Sequence, residues 1–357
     1  MRLVVVGNPG GRRVTQFQTA VRAAGLPPAD ILSWRELLTG APILPPSALV
    51  RVDSPGEDAE VDRLLRGPDA DPYGVEGSGR WYESFVAGLR KLADLVARTP
   101  GARLLNELED IEIMFDKRRC HAALAAAGCP VPPALSGITG FDDLRQQLAD
   151  LGWERAFLKP AHGSSASGVL ALSVRGARVA ATTSVDISSE GLRNSLRVRT
   201  YRDSTAAALV DRLCADPVHV ERWFPKASLH NRTIDLRIVV VAGKATHAVV
   251  RASRYPMTNL NLGGTRIDIA DLRAVIGEAS WRAWVDTCER AAAVFGRSLM
   301  VGVDLLPGLG WRRHVVGEVN AFGDLLPRLA GLPDGPAPGV DTYAAQVAAI
   351  MGASCRT

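Results

Sequence analysis

The residues best suited to chemistry in this 357-residue chain are Gly302-Val303-Asp304-Leu305-Leu306 and Val315-Val316-Gly317-Glu318-Val319-Asn320, separated by a turn through Gly308 and Gly310. Two strands joined by such a turn make a hairpin, and on a strand residues i and i+2 face the same side. Glu318 and Asn320 therefore share a face. If Asp304 points the same way, three oxygen-bearing side chains converge with no basic side chain among them. Hard oxygen donors of this kind suit magnesium, which takes one or two carboxylates together with substrate phosphates. The competing reading is a solvated polar edge. Val315, Val316 and Val319 make the other face apolar, and carboxylates on a half-buried strand are uncommon unless paired, which favours the metal.

A second feature is Phe157-Leu158-Lys159-Pro160-Ala161-His162-Gly163-Ser164-Ser165-Ala166-Ser167-Gly168. A lysine ending an apolar strand offers an ammonium to phosphate oxygens, and the Gly- and Ser-rich loop after it offers backbone N–H groups. Small side chains also let such a loop move as a lid. The pattern is not Gly-x-x-x-x-Gly-Lys-Ser/Thr, which occurs nowhere in the chain. A flexible linker is the alternative. Against it stands the scarcity of lysine: only Lys91, Lys117, Lys159, Lys226 and Lys244 occur among 42 basic residues. Next, His219-Val220-Glu221-Arg222-Trp223-Phe224-Pro225 ends a strand with an acid and two aromatics, which could hold an adenine or simply be core. Finally, Arg237, Arg251 and Arg254 stand near strand ends ahead of Asn259-Leu260-Asn261-Leu262-Gly263-Gly264. A single arginine in so Arg-rich a chain reads as a solvated charge. The cluster suits a transferring phosphoryl group or an anionic substrate.

These groups need a scaffold. Residues 3–6 read as a buried strand running into Gly7-Asn8-Pro9-Gly10-Gly11 and an amphipathic helix over about 14–24, the unit that opens a Rossmann-like α/β layer. Gly-x-x-Gly-Gly is not the dinucleotide fingerprint, so that turn and the one at 53–57 are read as facing a substrate or as plain turns. Further strands are predicted at 48–52, 156–159, 218–222, 235–242, 246–251, 301–306 and 314–320. Helices are predicted near 58–65, 81–98, 115–124, 141–151, 205–214, 281–296 and 341–351.

Composition narrows the class. With 47% hydrophobic and 22% charged residues the chain is too apolar for dominant disorder and long enough for two or three domains. Its 42 Lys/Arg and 38 Asp/Glu are interleaved at net charge +4, so no nucleic-acid partner is expected. No apolar run approaches about 18 residues, so no membrane partner is expected and a cytoplasmic location is. Cys120, Cys129, Cys214, Cys288 and Cys355 lack ligand spacing and read as reduced buried thiols.

In this order and spacing the motifs resemble the ATP-grasp superfamily over about residues 115–326, with the preceding α/β segment matching the domain that usually stands in front. The resemblance implies an α+β fold in which a Rossmann-like domain (1–113) precedes two α+β subdomains that sandwich ATP. Residues 114–215 would carry a helix, the lysine strand and the lid; residues 216–330 the hinge and magnesium site; residues 331–357 a linker and terminal helix. Lys117 and Lys159 resemble the phosphate-contacting lysines, with Gly163, Ser164 and Ser165 in the lid. Glu221, Arg222, Trp223 and Phe224 resemble the hinge, Glu221 meeting the adenine amino group. Asp235, Arg237, Arg251 and Asn259 match the Asp-x-Arg strand and Asn-x-x-x-Gly-Gly loop of the ribosomal-protein glutamate ligase branch. Asp304, Glu318 and Asn320 resemble the magnesium ligands. Two departures from the D-alanine ligase branch are Ser228, where an acidic ribose-binding residue is often found, and Gly302, where that branch has arginine. The latter moves the transition-state role towards Arg251, with Arg237 beside it.

The activity so implied is an ADP-forming ligase, dependent on ATP and Mg2+, that joins a small-molecule or peptide carboxylate to an amine through an acyl phosphate. A phosphotransferase and a non-catalytic ATP-binding regulatory protein are the alternatives. No general base stands out; His162, in the lid, could serve as one, the equally good reading being a lid residue that meets solvent or phosphate. A homodimer is left open.

Overall fold

The computed structural model describes residues 2–68, 71, 74–163, 166–176, 178–189 and 191–354. The first layer comprises β1 (Arg2–Gly7), α1 (Arg12–Ala23), β2 (Asp30–Ser33), α2 (Trp34–Thr39), β3 (Ala48–Val52), α3 (Ala59–Arg66), α4 (Ser78–Arg98) and β4 (Arg103–Leu104). Its strands are parallel in the order β2-β1-β3-β4. β1 and β3 read as near-continuous apolar runs because both sheet faces are covered. Val4 and Val6 pack against the α2 and α4 side, Leu3 and Val5 against α1.

Two helices, α5 (Leu108–Phe115) and α6 (Lys117–Ala126), lead into the second layer. That layer contains β5 (Ala134–Leu135), α7 (Phe141–Asp150), β6 (Arg155–Pro160), β7 (Leu170–Arg175), β8 (Arg178–Ser188), β9 (Gly191–Arg202), α8 (Asp203–Leu213) and β10 (Val218–Arg222). Its strands are antiparallel in the order β5-β10-β6-β7-β8-β9. The third layer contains β11 (Ser228–Leu229), β12 (Arg232–Val241), β13 (Lys244–Ser253), β14 (Thr265–Ile267), α9 (Ile269–Ile276), α10 (Glu278–Ala293), β15 (Met300–Pro307) and β16 (His314–Asn320). These strands are antiparallel in the order β14-β13-β12-β15-β16, with β11 paired to β12. A last helix, α11 (Thr342–Ser354), closes the chain's described part.

Three features differ from the sequence expectation. The helix expected from residue 115 begins at Lys117, because the Asp116 side chain accepts from the backbone N–H groups of Arg118 and Arg119 and caps it. The expected segment boundary at 113 falls inside α5, and β10, assigned to the third segment, is hydrogen-bonded within the second sheet between β5 and β6. α11 returns to the first layer, where Tyr343, Val347 and Ile350 share a core with Leu3, Val5 and Phe17.

A buried ionic network secures that return. Arg51 Nη1 lies 2.7 Å from Asp53 and Nη2 2.7 Å from Asp324, while Gln346 Nε2 donates to Asp324 at 3.0 Å. The Arg51 guanidinium sits over the Phe17 and Tyr343 rings. The two carboxylates, the Arg51 guanidinium and the Gln346 amide satisfy one another where an isolated charge would be costly. Of the cysteines, Cys120, Cys129 and Cys288 are buried free thiols as expected, but Cys214 is only half-buried, and Cys355 lies outside the described residues. Burial pushes the Cys120 thiol up to about 12. No helix among the described residues is long and apolar enough to cross a membrane.

Candidate functional site

A cavity of about 480 Å³ lies where the three layers meet. Its first wall is β6, whose alternation sends Ala156 and Leu158 into the core and Phe157 and Lys159 to the cavity, with Pro160 at the strand's end also in the lining. Pairing with β10 sets His219 opposite Lys159 and Glu221 opposite Phe157. Glu221 Oε1 lies 2.6 Å from Lys159 Nζ, with the Glu221 side chain buried and that of Lys159 only 14% exposed. Burial alone would raise the Glu221 carboxyl, but Lys159 and His219 outweigh it and hold it down at about 2. Burial likewise works against the Lys159 ammonium, and Glu221 and Glu318 more than offset it. The pair is therefore charged. Glu221 Oε2, 3.4 Å from His219 Nε2, has no hydrogen-bond partner and is a buried acceptor in need of a donor.

The hinge residues divide. Phe224 lines the cavity beside Gly308, where a Cβ would meet its ring at 2.9 Å. Trp223 instead packs against Phe157 at 4.8 Å between ring centroids, and Arg222 is exposed with its guanidinium over Trp153. Neither residue is among those lining the cavity.

Lys117, placed in the first turn by the Asp116 cap, donates from Nζ to the Gly163 carbonyl at 2.5 Å and lies 3.5 Å from Glu318. It thus joins the root of the loop to the carboxylate strand. Ser164 and Ser165 lie outside the described residues. His162 does not reach the cavity: it is buried, stacked on Tyr82 with centroids 3.9 Å apart, with Nδ1 3.4 Å from the Phe115 carbonyl oxygen. Burial lowers its pKa. The general-base expectation for His162 is corrected on that geometry, since α4 and the α5–α6 junction enclose the ring.

Asp304, Glu318 and Asn320 do converge. Register pairs Asp304 with Glu318 and Gly302 with Asn320, and all three polar side chains line the cavity. The expectation that no basic side chain lies among them is wrong. Arg237, opposite Asp304 on β12, forms an ion pair with it through Nε and a 3.0 Å bond from Nη2, and Arg251 Nη2 lies 3.1 Å away. Burial would raise the Asp304 carboxyl, but these two guanidiniums hold it well below the usual carboxylate range. With its amide turned to suit its neighbours, Asn320 donates to Glu318 Oε1 at 2.6 Å and accepts from Arg237 Nη2 at 3.2 Å.

This donor set still fits a hard divalent cation. Two carboxylates and an amide oxygen face one space, and the cations now facing them are groups that phosphate oxygens can draw away. Among the described residues no cluster of three His, Cys, Asp or Glu side chains forms an all-protein cage. The departure at Gly302 also has a cause: a Cβ there would sit 2.7 Å from Gly323 Cα and 3.1 Å from Arg237 Cδ. Arg237 occupies the space that an arginine at position 302 would need.

Beyond Arg237, Arg251 Nε lies 2.7 Å from Asp235 Oδ1, and the Thr258 hydroxyl donates to Asp235 Oδ2. Burial opposes the charged Arg251, and Asp235 and Asp304 hold its pKa above the ordinary arginine value. Asn259 lines the same wall; Arg254 is exposed and does not. Sequence reasoning missed Thr258 and Lys226, whose Nζ donates to Thr258 Oγ1 at 3.2 Å. Lysine scarcity was the available signal. Lys117, Lys159 and Lys226 all line this cavity, while Lys91 and Lys244 serve the surface. At the first-layer end Arg13, Ser54 and Glu57 complete the lining, Arg13 being held by Asp324 at 2.6 Å.

No family model matches the chain, and no curated protein sequence matches it. Solved structures do. D-cycloserine synthetase DcsG aligns with a TM-score of 0.58 at 16% identity, over 98% of this chain and 99% of that one. The ATP-grasp ligase PsnB, complexed with minimal precursor, Mg and ADP, aligns with a TM-score of 0.54 at 18% identity over 99% and 98%. The macrocyclase MdnC from Microcystis aeruginosa, bound with precursor peptide MdnA, aligns with a TM-score of 0.54 at 11% identity over 98% and 100%. The likeness is one of fold and runs through all three layers. The architecture of this chain is thus the fold seen in solved ATP-grasp ligases.

Proposed function

We propose that this chain is an ATP- and magnesium-dependent ligase that joins a carboxylate to an amine through an acyl phosphate. One observation carries the reading: Lys117, Lys159, Arg237 and Arg251 line a single cavity with Asp304, Glu318 and Asn320. Cations for phosphate and oxygen donors for a metal thus share one space. The fold neighbours support it, since the ATP-grasp ligase PsnB is complexed with a minimal precursor, Mg and ADP. They also favour a peptide or amino-acid-like substrate, as does the Arg13 and Glu57 end of the cavity, which offers one charge of each sign.

The chemistry asked of the protein is positional. Phe157 and Phe224 give the base an apolar bed, and the unpartnered Glu221 Oε2 accepts from its amino group. Lys117 and Lys159 hold phosphate oxygens. Asp304, Glu318 and Asn320 would hold magnesium, which when bound neutralises phosphate charge. Arg251, fixed by Asp235, presents its remaining N–H groups where oxygen gathers charge as the phosphoryl group passes to the substrate carboxylate and ADP departs. The amine then displaces phosphate from the acyl carbon.

The test is a panel of amino acids and short peptides incubated with ATP and Mg2+, followed by ADP release and product mass. An amide formed with stoichiometric ADP supports the ligase. ADP with a stable phosphorylated product makes the chain a phosphotransferase instead, and absence of nucleotide binding removes both.

A further inference from the structure

The three cavity lysines are neutralised unequally. Lys159 has Glu221 at 2.6 Å, and Lys117 has the Gly163 carbonyl at 2.5 Å and Glu318 at 3.5 Å. Lys226 has one hydrogen bond, to Thr258 Oγ1 at 3.2 Å, and its nearest carboxylate oxygen, on Asp235, is 3.8 Å away. Both Asp235 oxygens are already engaged, one by Arg251 and one by the Thr258 hydroxyl. An ammonium has three donors, and its side chain here is only 10% exposed. Burial lowers the Lys226 pKa with Asp235 offsetting it only in part, whereas the Lys159 pKa is raised. A buried ammonium so placed has its carboxylate beyond hydrogen-bond distance, and it lines the cavity from which a closer anion would come.

Its place in the chain says which anion. Lys226 follows Phe224 by two residues and bridges Gly308, the residue that backs the Phe224 ring. It approaches from the connection into the third layer, while Lys159 approaches from the second. Ser228, the residue that stands at the ribose position of the related branch, is exposed and absent from the lining. We infer that Lys226 is a third lysine for the nucleotide, exchanging its bond to Thr258 for the phosphate nearest the base. The inference rests on reading the cavity as an ATP site.

Isothermal titration of ATP, ADP, AMP and adenosine tests it without turnover. Lys226→Met is expected to weaken ATP, ADP and AMP by about tenfold or more, the worth of a charge-assisted contact, and to leave adenosine unchanged. Lys226→Arg is expected to recover most of the loss, and thermal melting verifies that each variant is folded. Should Lys226→Met not fold, Lys226→Gln replaces it. Equal nucleotide affinity in wild type and the neutral variant overturns the inference while leaving the ATP site standing. An equal loss for adenosine makes Lys226 structural and overturns it too. Failure of the wild type to bind any nucleotide removes the ATP site itself.

Discussion

Arg251 Nη2 lies 3.1 Å from an oxygen of Asp304, so the carboxylate proposed to meet magnesium is also held by a guanidinium. Arg237 holds the same carboxylate from the neighbouring strand.

Removing the Asp304 charge strands two buried guanidiniums. Asp304→Asn is expected to abolish Mg-dependent ADP release and to cost about 3–5 kcal/mol of stability, the usual effect of breaking a buried pair. Glu318→Gln, at a side chain 25% exposed, should abolish turnover with a much smaller change in melting temperature. Full turnover in folded Glu318→Gln would sink the metal assignment.

Arg251→Lys keeps the charge but loses the two-sided grip on Asp235 and Asp304. The expected result is a fall in kcat of about 10²-fold or more with little change in KM for ATP, as for loss of a contact made chiefly in the transition state. A matching rise in KM with kcat unchanged would place Arg251 in ground-state binding instead.

Glu221, held near 2 in the folded protein against an ordinary 4.5, stabilises the fold when ionised. Its folded value is the depressed one, so the contribution is complete above about pH 4.5 and fades as pH falls from there towards 2. It amounts to about 3 kcal/mol. Thermal melts of wild type and Glu221→Gln should differ most at neutral pH and converge below pH 4.5. A gap that does not change with pH would show that the Lys159 pair contributes no such linkage.

Gly302→Ala adds a methyl within 2.7 Å of Gly323 Cα, a backbone atom that cannot swing aside. β15 must then move at the point that carries Asp304 and backs Arg237. Loss of most Mg-dependent activity is expected in a chain that still folds, with circular dichroism as the control. Unchanged activity would mean that the two backbones separate without disturbing Asp304.

Much of the scaffold was legible because its signals are local. Asp-Lys-Arg-Arg before an apolar helix face, a Gly-rich turn after an apolar strand, and the i, i+2 spacing of Glu318 and Asn320 each depend on neighbours within a few residues. The strands at 48–52, 218–222 and 314–320 appear where the pattern put them. Scarcity of lysine pointed to Lys159 and applied equally to Lys226, where it went unused.

What needed the tertiary structure was the identity of neighbours. Strand periodicity sets which face a side chain takes, but only the sheet order β13-β12-β15-β16 brings Arg251 and Arg237 onto Asp304. The motif Gly-Val-Asp is the same with or without them. His162 likewise sits in a loop that reads as mobile and exposed, yet Tyr82 from another layer covers it. The Arg51 and Asp324 pair spans 273 positions and draws the terminal helix back to the first sheet. Local composition determined the elements and the types of chemistry on offer. Long-range packing decided which charges meet, because electrostatic partnership depends on distance in space and not along the chain.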